Sequence, residues 1–249
     1  MPTWNPGQYL KFEAERTRPC RDLASRISVA HPRRIIDLGS GPGNSTEVIA
    51  SLWPDAEVTA LDSSEEMVQK GRENYPNFHW LSEDISRWAA SSTDSFDIVL
   101  SNAALHWVPN HNVVVPQLLN HVSSGGALAF QMPADINAPP HKLMREIAAR
   151  PVREWHAYDL PYYYDLLSRD AASVDAWEVT YMHVMERPDE IVEWYKGTGL
   201  RPYLDTANSE AERERFLDQY REGIRRLYPP RPDGRVLFPF RRIFVIAYR

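Results

Sequence analysis

The 249-residue chain contains one cysteine, Cys20. That excludes an internal disulfide and leaves no cysteine-based zinc site to expect; no metal is expected at the site. Nothing in the sequence supplies Cys20 with an activating base, so it reads as a small buried residue. No run of eighteen apolar residues exists, so no membrane-spanning helix is expected. Met1 to Arg18 is polar and lacks the apolar core of a signal peptide, which points to a cytoplasmic protein. Lysine is scarce. Lys11, Lys70, Lys142 and Lys196 are the only four, so 28 − 4 leaves 24 arginines among the basic residues. Arginine grips carboxylates and phosphates with a planar, two-pronged fork that lysine cannot match. Base composition also favours arginine codons, so the bias alone assigns nothing. A formal net charge of −6 speaks against a nucleic-acid partner. The oligomeric state is not written in the sequence.

What is present is an alternation of short apolar runs and amphipathic segments. Strands are expected at 33–38, 57–61, 78–81, 96–100 and 127–131. A helix is expected over 44–52, a second after a cap at Ser63 or Ser64 with Glu65 and Glu66 in its first turn, and a third over 111–121, stopped by Ser123-Ser124-Gly125-Gly126. This βαβ spacing predicts a doubly wound, mostly parallel, Rossmann-like α/β sheet. After Pro133 the pattern changes. A helix opens at Pro139-Pro140, residues 151–170 are aromatic and irregular, and 177–185 alternates like a strand. Helices are expected at 188–195 and, capped by Ser209, to about Tyr228. Residues 236–248 read as a terminal strand, giving an antiparallel edge. The length suits a single domain over 1–249. Within it, 1–32 is expected to form a helical lid carrying Trp4, Tyr9 and Lys11, 33–132 a cofactor-binding core, and 133–249 helical cap insertions with the final strands.

The strongest motif is Asp37-Leu38-Gly39-Ser40-Gly41-Pro42-Gly43. Alternating glycines at a strand-to-helix turn allow a sharp bend and close approach to a ligand. A dinucleotide fingerprint would place its third glycine where Asn44 stands. A carboxylate at Asp37 would serve a pyrophosphate poorly and a cationic ligand well. Asp62 ends the second expected strand, where it can accept from both hydroxyls of a ribose. Asp84 follows the third, where it can accept from an adenine amine, with Ile85 offering a backbone group. Each aspartate also has an ordinary alternative as a surface or capping residue.

These residues resemble the class I S-adenosylmethionine-dependent methyltransferases across 33–131. The resemblance implies that Asp37, Gly39, Gly41 and Gly43 hold the amino-acid end of S-adenosylmethionine, Asp62 with Ser63 the ribose, and Asp84 with Ile85 the adenine. It implies that Ser101, Asn102 and Ala103 of FDIVLSNAALHW line the methionine side. The flanking blocks WNPGQYLKFEAERTRPCRDL, LHWVPNH, QMPADINAPPHKLMRE, TGLRPYLD and DGRVLFPFRRIFVIA are similar to the branch of that family acting on trans-aconitate. A small polycarboxylic acid, trans-aconitate foremost, methylated on a carboxylate oxygen, is therefore the expected substrate.

The residues are compatible with that expectation. A carboxylate is already an anionic nucleophile and needs alignment rather than a base, and no base–nucleophile pair is visible. A polycarboxylate needs cations on its non-reacting groups, for which Arg201, Arg241 and Arg242 are candidates. His106, Trp107 and the run Tyr162, Tyr163 and Tyr164 are candidate pocket walls. Each has a structural alternative: a solvated arginine, a core tryptophan, a hydrogen-bonded histidine. Other readings remain: a methyltransferase of a fatty acyl carboxylate, a quinone-type hydroxyl or another small molecule, or a non-catalytic S-adenosylmethionine-binding protein. A nicotinamide-dependent dehydrogenase is disfavoured by Asn44 and Asp37.

Overall fold

A computed structural model describes residues 13–134, 136–152 and 155–249. Seven strands form one sheet in the order β3-β2-β1-β4-β5-β7-β6. They are β1 Arg34–Leu38, β2 Glu57–Asp62, β3 His79–Ser82, β4 Phe96–Asn102, β5 Val122–Pro133, β6 Ser173–Met185 and β7 Val236–Tyr248. The first five run parallel, and β7 runs antiparallel to β5 from Ala127↔Tyr248 to Pro133↔Arg242. This is the doubly wound α/β arrangement with an antiparallel edge that the alternating pattern predicts.

The local causes are visible at the helix starts. The Ser64 hydroxyl accepts from Met67 N–H and begins helix Glu65–Asn74. Ser209 accepts from Glu212 N–H and begins Glu210–Leu227. Two expectations change. β5 begins at Val122 rather than Ala127, because the Ser-Ser-Gly-Gly stretch is held as strand. Gly125 N–H donates to Arg249 O and Arg249 N–H to Gly126 O. The stretch taken as irregular contains helix Leu160–Leu167, capped by the Asp159 carboxylate accepting from Tyr162 N–H. Helix Ile85–Ser91 and the short helix Arg201–Asp205 were also not anticipated.

The described residues fall into two compact units. One comprises 16–134, 156–179 and 242–249. Its core packs Ile36, Leu38, Val99, Leu128, Phe130 and Val245 with Tyr163 and Leu167 of helix Leu160–Leu167. Each such fully buried side chain stabilises by about 1.5–3 kcal/mol. The other comprises 13–15, 136–152, 155 and 180–241. It is helical and aromatic, with Trp194 and Tyr195 against Phe238 and Phe240. Among the described residues no helix is long and apolar enough to cross a membrane.

Candidate active site

The first four residues after Arg34 in β1, Ile35 to Leu38, are fully buried, as a central parallel strand requires, so Asp37 enters the interior. Its Oδ2 accepts from Ser45 Oγ (2.6 Å) and Thr46 Oγ1 (2.8 Å) on helix Asn44–Leu52. Its Oδ1 is buried with no hydrogen-bond partner among the described residues. Burial pushes the Asp37 carboxyl up to about 6, against the pull of the two hydroxyl donors. An ionised oxygen without a donor invites a cationic or hydrogen-bonding ligand.

The glycines of the turn serve different purposes. Gly39 has φ 75°, and a Cβ there would sit 2.2 Å from Ala104 Cβ, so the turn packs directly on the loop after β4. Gly41 has φ 55°, and a Cβ there would meet nothing within 4 Å. The first glycine is required by the protein's own packing. The second faces open space in which a ligand can lie.

Asp62 ends β2 and braces this turn. Its two carboxylate oxygens accept from Gly41 N–H (2.9 Å) and Ser64 N–H (2.9 Å). Burial raises its pKa and the backbone donors oppose the rise. Ser63 N–H is a third backbone donor to this carboxylate. Ser63 beside it is exposed. Asp84 caps helix Ile85–Ser91 through Oδ1, which accepts from Ser86 and Arg87 N–H. These bonds commit only one of the two carboxylate oxygens. Ile85 is buried, its Cδ1 near Gly39.

The end of β4 carries the remaining predicted residues. Ser101 is buried and donates to Leu38 O (2.9 Å), tying β4 to β1. Ala103 is held at φ 55°, a strained left-handed conformation for a residue with a Cβ. Asn102 Oδ1 accepts from Gln131 Nε2, and Arg242, only 5% exposed, donates from Nη1 to Gln131 Oε1 (2.9 Å). Asn102 and Arg242 are thus joined by a residue that sequence reasoning missed.

His106 and Trp107 follow on a short 3-10 turn, Leu105–Trp107, with rings 5.0 Å apart. His106 is buried and Trp107 half-buried. That turn is held by another residue not anticipated. His111 Nε2 lies 2.9 Å from Leu105 O, and its Nδ1 lies 2.7 Å from Tyr163 Oη. A carbonyl only accepts, so Nε2 carries the proton and Nδ1 accepts from the tyrosine. Burial lowers the His111 pKa, in keeping with this neutral form. Of the tyrosine run, Tyr163 is wholly buried, Tyr162 stacks on Tyr158, and Tyr164 is 52% exposed.

Arg201 and Arg241 belong to the other unit. Arg201 opens helix Arg201–Asp205, and its Nη2 is buried without a hydrogen-bond partner among the described residues. Arg241 is half-buried. Trp4, Tyr9 and Lys11 lie outside the described residues. The described part of the expected lid is helix Glu13–Ala24, where Cys20 is fully buried with Sγ 4.0 Å from Ser45 O.

Comparison with known proteins gives the family and the fold. Residues 35–126 match the methyltransferase domain model. Over the full length of both proteins the chain is 44% identical to the trans-aconitate 2-methyltransferase of Azoarcus sp. strain BH72. It is 41% identical to that of Paracidovorax citrulli, covering 100% of this chain and 99% of the relative. Coclaurine N-methyltransferase bound to N-methylheliamine and S-adenosylhomocysteine shares the fold, with TM-score 0.59 at 14% identity over 99% of this chain and 82% of that one.

Proposed function

The chain belongs to the trans-aconitate 2-methyltransferases, a family of S-adenosylmethionine-dependent enzymes, and on that premise we propose how its residues carry out the transfer. It is an O-methyltransferase that esterifies a carboxylate of trans-aconitate, a small tricarboxylic acid. S-adenosylmethionine, when bound, supplies an electrophilic methyl group on a sulfonium, which a carboxylate oxygen takes while the C–S bonding pair stays on sulfur.

The observation that carries the assignment lies in one strand-to-helix turn. There the protein leaves a buried carboxylate oxygen unshared on Asp37 and open space before Gly41. These fit a ligand with a cationic amino-acid end. Asp62 would hold the ribose hydroxyls, and Asp84 would receive the adenine amine. The substrate needs no proton removed, so the chain's task is alignment, exclusion of water and charge. Arg201 offers a buried, unshared guanidinium nitrogen to a spectator carboxylate. Arg241 is assigned the same role by its place in the matching terminal block. Arg242 acts from within β7. His106 and Trp107 wall the end of β4. Tyr164, on the exposed face of its helix, is not assigned a contact.

The test uses labelled methyl donor with trans-aconitate, citrate, a monocarboxylate and a phenol. A carboxyl methyl ester is base-labile, so the expected product releases labelled methanol under mild alkali. Product from the phenol alone, with an alkali-stable label, would overturn the reading.

A further inference from the structure

We propose that Gln131 is a positioning residue that fixes which edge of the Asn102 amide faces the ligand, by relaying the donor-only character of Arg242 across three strands. The inference rests on the reading of this site as a carboxylate methyltransferase and names a residue that reading does not use.

The sheet register makes the relay possible. Asn102 stands directly opposite Gln131 in the parallel pair β4–β5. Arg242 stands opposite Pro133 in the antiparallel pair β5–β7, two positions along from Gln131 and on the same face of the sheet. The three side chains therefore lie in one row. Gln131 is fully buried and Arg242 nearly so, while Asn102 is half-buried at the C-terminal end of β4. Ligands of open α/β sheets lie at that end of the strands.

Chemistry fixes the direction of the bonds. A guanidinium has donors and no acceptor, so the group 2.9 Å from Arg242 Nη1 must be the Gln131 oxygen, Oε1. The Gln131 amide nitrogen then faces Asn102. It donates, so Asn102 must present Oδ1. The Asn102 Nδ2 hydrogens are left to point away from Gln131. Gln131 also accepts through its carbonyl from Ala103 N–H (3.0 Å), the residue held at φ 55°. One residue thus sets both the amide of Asn102 and the strained turn after it.

An asparagine without this relay can turn either edge outward. An outward oxygen would repel a carboxylate, and an outward amide nitrogen attracts one. The relay selects the second and presents a neutral donor edge. Such an edge can orient a carboxylate without the drain on oxygen nucleophilicity that a bidentate arginine imposes. The methionine end of the cofactor, beside which the resemblance places Asn102, carries a carboxylate of its own. We take the occupant to be a carboxylate of the acid substrate, and a rise in the S-adenosylhomocysteine Kd with unchanged KM in Gln131→Met would assign the edge to the cofactor instead and overturn this.

The test uses the full chain and four variants: Gln131→Met, Gln131→Glu, Asn102→Ala, and Gln131→Met combined with Asn102→Ala. Gln131→Met should raise KM for trans-aconitate about ten-fold, leaving kcat and the S-adenosylhomocysteine Kd within about two- to three-fold. The double variant should be no worse in KM than Asn102→Ala alone. An unchanged KM, or effects that multiply in the double variant, would overturn the relay. A second readout needs no turnover. In ligand-free protein the Asn102 side-chain amide resonances, identified by their loss in Asn102→Ala, should move in both Gln131→Met and Gln131→Glu. Resonances unmoved in both folded variants contradict the orientation. If the wild type turns over no carboxylic acid at all, the proposed function fails, and the spectra still decide the relay.

Discussion

In the unit carrying the glycine turn, the aspartates at the ends of the strands, half-buried Asp62 and exposed Asp84, are braced by backbone. Asp62 is bound by three main-chain N–H groups, Asp84 by two more, and Ser101 bonds a carbonyl. In the unit of 136–152, 155 and 180–241, side chains surround one another instead. His141 packs on Trp155 and Tyr195, and Trp194 on Phe240. Three buried polar atoms there, His141 Nε2, Arg201 Nη2 and Tyr220 Oη, have no hydrogen-bond partner among the described residues. Each such atom costs about 1–3 kcal/mol unless a ligand or water meets it. Burial lowers the His141 pKa to about 4, so it is neutral and can accept. Backbone bracing suits a cofactor common to many enzymes, because any sequence supplies it. Unspent polar atoms stand in both units, on Asp37 in the first and on Arg201 in the second, and those of the second can distinguish one acid from another.

The sharpest way to break that contrast is Gly41→Val. It should abolish measurable S-adenosylhomocysteine binding in calorimetry, because the branched side chain takes the open space before the turn. The stability cost should be only about 1–2 kcal/mol, from the left-handed backbone. Retained binding would show that the space is not the cofactor's. Next in size is Arg201→Gln, expected to raise KM for trans-aconitate by the equivalent of about 2–4 kcal/mol if the contact is desolvated. Cofactor affinity should not move, and a monocarboxylate should feel the change much less. Equal losses for both acids would remove Arg201 from substrate recognition.

Asp62→Ala should weaken cofactor binding by about 1.5–3 kcal/mol, since the ribose hydroxyls lose a charged acceptor. Asp62→Asn, which keeps one oxygen to brace the turn, separates that loss from loosening of Gly41. Unchanged affinity in Asp62→Ala, with the fold verified by melting, counts against the ribose contact.

Within a narrow pH window the unsubstituted protein should show a pH dependence of its own. The Asp37 carboxyl stands at about 6 when folded, above its ordinary value of 3.8, because it is buried. The folded protein therefore holds this proton more tightly than the unfolded chain. Its contribution to stability is full below about pH 4 and is lost as pH rises through about 6, a change of about 3 kcal/mol. A cationic cofactor prefers the ionised form, so its affinity should rise with pH, by up to about ten-fold per unit below pH 6. Asp37→Asn should flatten the profile. A flat wild-type profile of affinity between pH 5 and 7, taken as about one unit either side of that value, would detach Asp37 from the cofactor.

Much of the first unit is legible in sequence because its signals are local. Glycines at a bend, Ser64 before two glutamates, and Asp84 before a helix each act within a few residues. The start of β5 was hidden because Gly125 and Gly126 read as breakers, while the bonds that straighten them come from Arg249 at the chain's end. Helix Leu160–Leu167 was hidden by its aromatic composition, although Asp159 is an ordinary cap. Gln131 and His111 carried no signal. Gln131 meets its partners 29 and 111 residues away, and His111 meets Tyr163 at a separation of 52. Their roles follow from strand register and packing, which a single sequence does not print. The helices Pro139–Ile147, Asp189–Lys196 and Glu210–Leu227 were readable as helices, Arg201–Asp205 was not, and neither was which polar atoms would be left unshared.

The most direct measurement is kcat/KM for labelled methyl transfer from S-adenosylmethionine, on one preparation of purified protein, to trans-aconitate, a long-chain fatty acid and a phenol. The account predicts efficient turnover of trans-aconitate to an alkali-labile methyl ester, and values for the other two lower by about two orders of magnitude or more, as expected when buried cations meant for spectator carboxylates go unpaired. Preference for the fatty acid or the phenol, or cofactor binding without transfer to any of the three, would contradict it.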